Sequence, residues 1–158
     1  MKVHHYKTKL TWTGNRGVGT KDYKAYDRSH VISVDGKDDI LGSSDVAFRG
    51  DKTKHTPEDL FVSTLSSCHM LWYLHLCAVN GIIVTEYIDK ATGVMEEDAA
   101  GSGHFTKVIL KPEVTVAEKS MIEKANELHN DAHKMCFIAN SINFPLVHEP
   151  SAFVEQHA

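Results

Sequence analysis

The chain has little of what marks a disulfide-stabilised, nucleic-acid-binding or exported protein. Three cysteines among 158 residues are too few, and of odd number, for a structural disulfide framework. The net charge of −4 and the pI near 6.2 leave no basic stripe, so nucleic acid is not an expected partner. Residues 1–7 lack the apolar core of a secretory signal. We therefore expect a cytoplasmic protein whose thiols are reduced at rest.

Length and composition are those of one globular domain. A chain of 158 residues can bury a core without disulfide or metal staples, and we expect residues 1–158 to form a single domain. The hydrophobic fraction of 42% and the charged fraction of 24% exclude a disordered or collagen-like chain.

The dominant feature is the long apolar run of residues 60–79, which predicts a central helix. Thr56 can cap its start, Pro57 suits the first helical position, and Gly81 can take the left-handed conformation that ends a helix. A helix without a polar face must lie in the centre of the fold or between two subunits. The hydroxyls and imidazoles within the run argue against a membrane span, so no membrane partner is expected.

The remaining pattern is that of an α+β fold. We expect strands first, an irregular loop over 38–56, the long helix, more strands, an amphipathic helix over 118–133 that covers one face, and a last strand before Pro150. The predicted strands cover residues 3–12, 20–26, 29–34, 82–87, 91–97, 104–116 and 142–148.

Cys68 lies inside the apolar run, and its chemistry depends on a positive group from elsewhere. Burial raises the pKa of a thiol, and a reactive thiolate needs a compensating charge. Cys68 lies about three turns inside the helix, beyond the reach of the helix dipole, and His69 points roughly 100° away. An arginine suits the task because it stays charged and binds in a planar fork. Arg16, among the glycines of the first turn, is a candidate.

Three segments resemble the osmotically inducible protein C and organic hydroperoxide resistance family, OsmC/Ohr. Residues 56–61, followed by Leu65-Ser66-Ser67-Cys68, look like the family's approach to its peroxide-attacking cysteine, with an acidic residue ten positions earlier. Residues 14–20 look like its N-terminal arginine turn, and Cys136 lies where the family has its second cysteine. The resemblance spans roughly residues 8–149.

The resemblance implies a fold, an activity and a set of site residues. The fold would be antiparallel sheets wrapped around a long buried central helix, in an intertwined homodimer. Cys68 would attack an organic hydroperoxide, Cys136 would resolve the product as a disulfide, Arg16 would activate the thiolate, and Glu58 would orient Arg16. No cofactor or metal is implied, and a dithiol or lipoylated reductant would restore the thiols.

The spacing of Glu58 and Cys68 has a geometric consequence. Ten residues span about 15 Å of straight helix, too far for one site in one chain. If two copies of the helix crossed antiparallel near Ser63, Glu58 of one subunit would lie beside Cys68 of the other, with two equivalent sites in a two-fold dimer.

Other interpretations of these residues stay open. Buried cysteines are usually inert, and Cys77, about 180° around the helix from Cys68, is expected in the core. His129, His133 and Cys136 have metal-ligand spacing, so a dimeric protein that binds a metal or a small apolar ligand is the alternative. Asn130 in place of a glutamate disfavours a metalloprotease, and no glycine-rich elbow around Cys68 supports a Cys-His hydrolase. The sequence as a whole favours a cysteine-based peroxidase.

Overall fold

The computed structural model describes residues 1–156, which divide into two compact units, residues 1–60 and the residues from 61 onward. The fold is α+β, as the sequence predicted. None of the helices in the described part of the chain has a stretch long and apolar enough to cross a bilayer.

The first unit contains a three-stranded antiparallel sheet. Its strands are β1 (Lys9–Trp12), β2 (His30–Ser33) and β3 (Ile40–Gly42), in the order β1-β2-β3. The predicted strands over 3–12 and 29–34 are confirmed in shortened form. Segment 38–56, expected to be irregular throughout, contributes β3 and a short 3-10 helix, Val46–Phe48. Gly42 permits the pairing, because a Cβ there would lie 2.2 Å from Nε2 of His30 on β2.

The predicted strand over 20–26 is wrong, because this segment folds into consecutive turns. Oδ1 of Asn15 accepts hydrogen bonds from the N–H groups of Gly17 (2.9 Å) and Gly19 (3.0 Å), and Oδ1 of Asp22 accepts one from the N–H of Lys24 (2.8 Å). These side chains satisfy the backbone donors locally, so the segment does not need a strand partner.

The central helix α1 spans Pro57–Val79, with the start and end that the sequence predicted. Thr56 and Asp59 form a reciprocal capping box: the Asp59 N–H donates to Oγ1 of Thr56 and the Thr56 N–H donates to the Asp59 carboxylate, both at 3.1 Å. Gly81 follows with φ of 70°. The fully buried positions recur every fourth residue and lie on one side of the helix, at Leu65, His69, Tyr73 and Cys77.

The second unit contains two further three-stranded sheets, β4-β7-β9 and β5-β6-β8. Pairs β4–β7 and β5–β6 are antiparallel, whereas β6–β8 and β7–β9 are parallel. The sheets are therefore mixed rather than purely antiparallel. The strands are β4 (Val84–Asp89), β5 (Thr92–Glu97), β6 (Gly103–Leu110), β7 (Pro112–Val116), β8 (Leu146–His148) and β9 (Ser151–Val154).

The single strand predicted over 104–116 is divided between the two sheets. The break falls at Lys111 and Pro112: the Lys111 N–H donates to Oδ1 of Asp89 at 2.7 Å, and Pro112 has no N–H. The predicted strand over 142–148 is limited to β8, and β9 follows beyond Pro150, where none was expected.

The second helix, α2, spans Ile122–Met135, with a 3-10 turn before it and another, Ala139–Ser141, after it. It covers one face, as predicted, and Ala125, Leu128 and Ala132 pack into a cluster with Tyr73 and Cys77 of α1 and two valines of β7. Cys77 is 1% exposed, which confirms its expected place in the core. A second cluster joins Leu65 to Val108 and Leu110 of β6.

Candidate active site

Cys68 and Cys136 are neighbours in the second unit. Cys68 lies in the middle of α1 and is partly exposed, whereas Cys136 is fully buried immediately after α2. Its N–H donates to the Ala132 carbonyl at 3.0 Å, which fixes the residue at the helix end. Both thiols are free, and Cys68 lies close enough to perturb the ionisation of Cys136. The structure therefore brings together the two cysteines that the sequence singled out.

The environment of Cys136 favours its protonated form. Burial raises the pKa of this thiol to about 11, and hydrogen bonding to Cys68 adds to the increase. The backbone N–H of Ala139 donates to Sγ at 3.4 Å, and this contact and that of Ile138 act in the opposite direction. Cys136 is thus a neutral thiol at pH 7, held beside donors that can stabilise negative charge on its sulfur when a proton leaves.

The face of α1 that carries Cys68 is apolar and open. Leu71, Trp72 and His75 lie three, four and seven residues beyond Cys68, on the same side of the helix, and they line a cavity of about 270 Å³. The Trp72 ring lies edge-on to that of Phe137, 5.6 Å between centroids. Leu71 is 64% exposed and Phe137 68% exposed. The partly exposed Cys68 therefore lies on the same side of α1 as an open apolar surface.

The other two predicted site residues, Arg16 and Glu58, belong to the first unit. The Arg16 guanidinium donates to the Lys24 carbonyl, and its Nε lies 3.7 Å from Oδ1 of Asp27. Asp27, rather than Glu58, is the carboxylate that contacts Arg16 among residues 1–156. Glu58 lies in the first turn of α1 and is partly buried.

The histidines predicted as metal ligands have a different arrangement. His129 is 1% exposed, and its Nδ1 lies 3.0 Å from Nε2 of His69 on α1. Within residues 1–156, no group of three or more histidine, cysteine, aspartate or glutamate side chains is arranged to hold a metal ion. The metal-binding alternative through His129, His133 and Cys136 therefore has no support in the geometry.

The neighbours of His129, which are His69 and His148, are not predicted from the sequence. The sequence predicts only that His69 points away from Cys68 and that residues 142–148 form a strand. The available signal was a histidine inside an apolar run, since a buried imidazole requires a hydrogen-bond partner.

Fold and site together define a class: an α+β protein with two neighbouring free cysteines, one buried and one partly exposed on an apolar face of the central helix. Comparison with known proteins gives the family. Residues 50–150 match the OsmC-like protein family, so the chain belongs to that family. The resemblance seen in the sequence is confirmed. No curated protein matches the chain.

Solved structures share the fold over nearly the whole chain. An OsmC-like protein of unknown function from Vibrio cholerae is 31% identical, with a TM-score of 0.85 over 94% of this chain and 99% of that one. An organic hydroperoxide resistance protein OsmC from Legionella pneumophila is 16% identical, with a TM-score of 0.69 over 96% and 98%. One from Elizabethkingia anophelis is 19% identical, with a TM-score of 0.67 over 98% and 100%.

Proposed function

We propose that the protein is a thiol-dependent peroxidase that reduces organic hydroperoxides and, less efficiently, hydrogen peroxide. The observation that carries the proposal is the contact between a partly exposed thiol, Cys68, and a buried thiol, Cys136, beside an open apolar cavity. Two solved structures with the same fold are named organic hydroperoxide resistance proteins, which supports this assignment.

The proposed reaction has three steps. The Cys68 thiolate attacks one peroxide oxygen, the O–O bond breaks, and the alkoxide takes a proton and leaves as an alcohol, so Cys68 becomes a sulfenic acid. The Cys136 sulfur then attacks Sγ of Cys68, which forms the disulfide and releases water. A dithiol or lipoylated reductant reduces the disulfide by exchange and is itself oxidised to a disulfide.

The two environments agree with this division of roles. Cys68 is the accessible thiol, and the leucine and aromatic side chains beyond it favour an organic peroxide over hydrogen peroxide. Cys136 is fully buried, and its raised pKa keeps it protonated until Cys68 has been oxidised. The Ala139 N–H can then stabilise the Cys136 sulfur as it loses its proton.

Arg16 and Glu58 complete the proposal, on the strength of the family resemblance. Arg16 would stabilise the Cys68 thiolate and the charge on the departing oxygen, and Glu58 would orient Arg16. The ten-residue spacing of Glu58 and Cys68 supports a two-fold homodimer in which each subunit supplies residues to both sites. No cofactor takes part in this scheme. We place the protein in the cytoplasm, where a dithiol reductant is available.

The first prediction concerns the fate of the thiols. One equivalent of cumene hydroperoxide should convert the wild-type protein to a form about 2 Da lighter, because Cys68 and Cys136 lose two hydrogens on forming a disulfide. Two of the three thiols should disappear, and dithiothreitol should restore both. Intact mass spectrometry with thiol titration measures this outcome.

A Cys77→Ala variant is the matched control, because Cys77 is the third thiol and lies in the core. After peroxide treatment its mass should decrease by about 2 Da, as that of the wild-type protein does. A protein that keeps all three thiols after peroxide treatment would contradict the peroxidase. That result would favour the binding of a small apolar ligand in the cavity beside Leu71 and Trp72.

A second prediction concerns Arg16. We expect Arg16→Lys to slow the oxidation of Cys68 by cumene hydroperoxide by about tenfold or more, because lysine keeps the charge but not the planar fork of donors. Stopped-flow measurement of thiol loss under single turnover gives the rate. Arg49→Gln, which removes an exposed arginine from the same unit, should leave the rate unchanged. Equal rates for wild type and Arg16→Lys would refute the proposed role.

A further inference from the structure

Four histidines form a cluster between α1, α2 and β8, and the peroxidase reaction does not use it. His69 is fully buried, and its Nε2 lies 3.0 Å from Nδ1 of His129. The His148 ring lies 5.8 Å from that of His69 and 5.5 Å from that of His133, between centroids. We call His69, His129, His133 and His148 the histidine cluster.

The ring nitrogens of the cluster are only partly paired within residues 1–156. Nδ1 of His69, Nε2 of His129 and Nδ1 of His133 are buried and have no hydrogen-bond partner among residues 1–156. An unpaired buried nitrogen costs free energy, and an apolar side chain of similar size would avoid that cost. Within the cluster, a hydrogen bond joins His69 to His129 and so links two helices across sixty positions of sequence.

That bond joins the two helices that position the cysteines. His69 follows Cys68 directly on α1. On α2, His129 precedes Cys136 by two helical turns, and Cys136 is fixed to the helix end through the Ala132 carbonyl. The distance between the two sulfurs therefore depends on how α1 lies on α2.

Tyr73 supports the same contact one turn further along α1. Its hydroxyl donates to the Ala125 carbonyl of α2 at 3.0 Å, and its ring stacks on that of His129 with 3.9 Å between centroids and 9° between planes. Apolar contacts also join the two helices, and non-directional contacts of this kind accept a range of orientations. Hydrogen bonds do not, because they lose strength steeply with distance and angle.

We propose that His69 and His129 are positioning residues that hold α1 and α2 in the register at which Cys136 reaches Cys68. Their biological use rests on the proposed function, since the register serves the attack of the Cys136 sulfur on the Cys68 sulfenic acid. The contact itself is a property of the folded chain, so it can be measured without any peroxide.

The test is the equilibrium between the full-length protein and a glutathione redox buffer. Oxidised glutathione converts the two thiols to a disulfide with release of two reduced glutathiones, and the equilibrium constant gives the effective concentration of one thiol at the other. Acid quenching, alkylation and intact mass measure the disulfide fraction. Circular dichroism establishes that each variant is folded.

Two substitutions at one site separate positioning from general polarity. His69→Gln places an amide nitrogen near the position of Nε2 and keeps the bond to His129, whereas His69→Asn is one carbon shorter and loses it. We expect His69→Asn to lower the effective concentration about tenfold, and His69→Gln to stay within about threefold of wild type. Val108→Ala destabilises the other core cluster and should leave the effective concentration unchanged.

Three results would overturn the proposal: equal values for His69→Asn and wild type, equal losses in His69→Asn and His69→Gln, or a similar loss in Val108→Ala. If His69→Asn does not fold, the comparison is repeated from α2, where His129→Asn keeps an acceptor near Nδ1 and His129→Leu does not. The outcomes are separable from the proposed function. A wild-type protein that ignores peroxide yet forms the disulfide with glutathione would refute the peroxidase and leave the positioning role intact.

Discussion

The Cys68→Ser variant should consume cumene hydroperoxide at least about 1,000-fold more slowly than wild type with dithiothreitol as reductant, because a serine hydroxyl is not ionised at neutral pH and is a poor nucleophile toward peroxide. The substitution replaces one sulfur by oxygen at a partly exposed position, so the fold should survive. Loss of hydroperoxide, followed by a colorimetric peroxide assay, measures the rate.

The Cys136→Ser variant gives the informative comparison. Cys68 should still be oxidised once, with a gain of about 16 Da as the sulfenic acid, but no disulfide can form. Turnover should then depend on direct reduction of the sulfenic acid by the added dithiol. Equal rates for wild type, Cys68→Ser and Cys136→Ser would remove the chemical basis of the peroxidase.

Acid should destabilise the folded protein from about pH 6.5 downward, before most carboxylates titrate. Burial lowers the pKa of His69 from 6.5 to about 4 and that of His129 to about 3. Repulsion from the other imidazoles adds to both effects, including that of His148, whose own pKa is lowered by burial and by His133. In the folded state His69 and His129 stay neutral at pH 5, whereas in the unfolded chain they are protonated.

The direction of the pH dependence follows from the numbers of protons that the unfolded and the folded states bind. Between pH 6.5 and about 4 the unfolded chain binds protons that the folded protein cannot, so the free energy of unfolding rises with pH. The stabilisation is present above pH 6.5 and is lost as the pH falls. From pH 7 to pH 5 each of the two histidines should remove about 2 kcal/mol from the free energy of unfolding.

Urea unfolding at pH 7, 6 and 5, followed by circular dichroism, tests this prediction. A His69→Gln, His129→Asn double variant has no imidazole at either position and should show a much smaller decrease over the same range. Tyr73, which contacts His129, stays neutral throughout, because burial raises the pKa of its hydroxyl. A wild-type stability that is flat from pH 7 to pH 5 would contradict the buried neutral pair.

The parts of the structure that the sequence predicted depend on local signals. Thr56, Pro57 and Gly81 act on their own backbone neighbours, so the limits of α1 could be predicted from them. The periodicity of residues 118–133 similarly gave the apolar face of α2. Cys77 could be assigned to the core because its angle around the helix follows from its position alone.

The parts that could not be predicted depend on distant contacts. Nothing near residues 20–26 distinguishes a strand from turns held by Asn15 and Asp22. Strand β8 pairs with β6 and strand β9 pairs with β7, and in both pairs the partner residues are more than thirty positions apart in the sequence. The bond between His69 and His129 depends on how two helices pack, and neither histidine predicts the other. Only the family resemblance suggested that Cys68 and Cys136 would meet.

The parallel pairing of β7 with β9 also determines when the protein can fold. Glu113 to Val116 form one side of the ladder, and their partners, Ser151 to Val154, are synthesised 38 positions later. Until those residues have emerged from the ribosome, β7 keeps one edge unpaired, with Val114 and Val116 part of an incomplete core. The sheet β4-β7-β9 can therefore complete its pairing only once residues 151–154 are available, so the order of the strands along the chain delays this part of the fold.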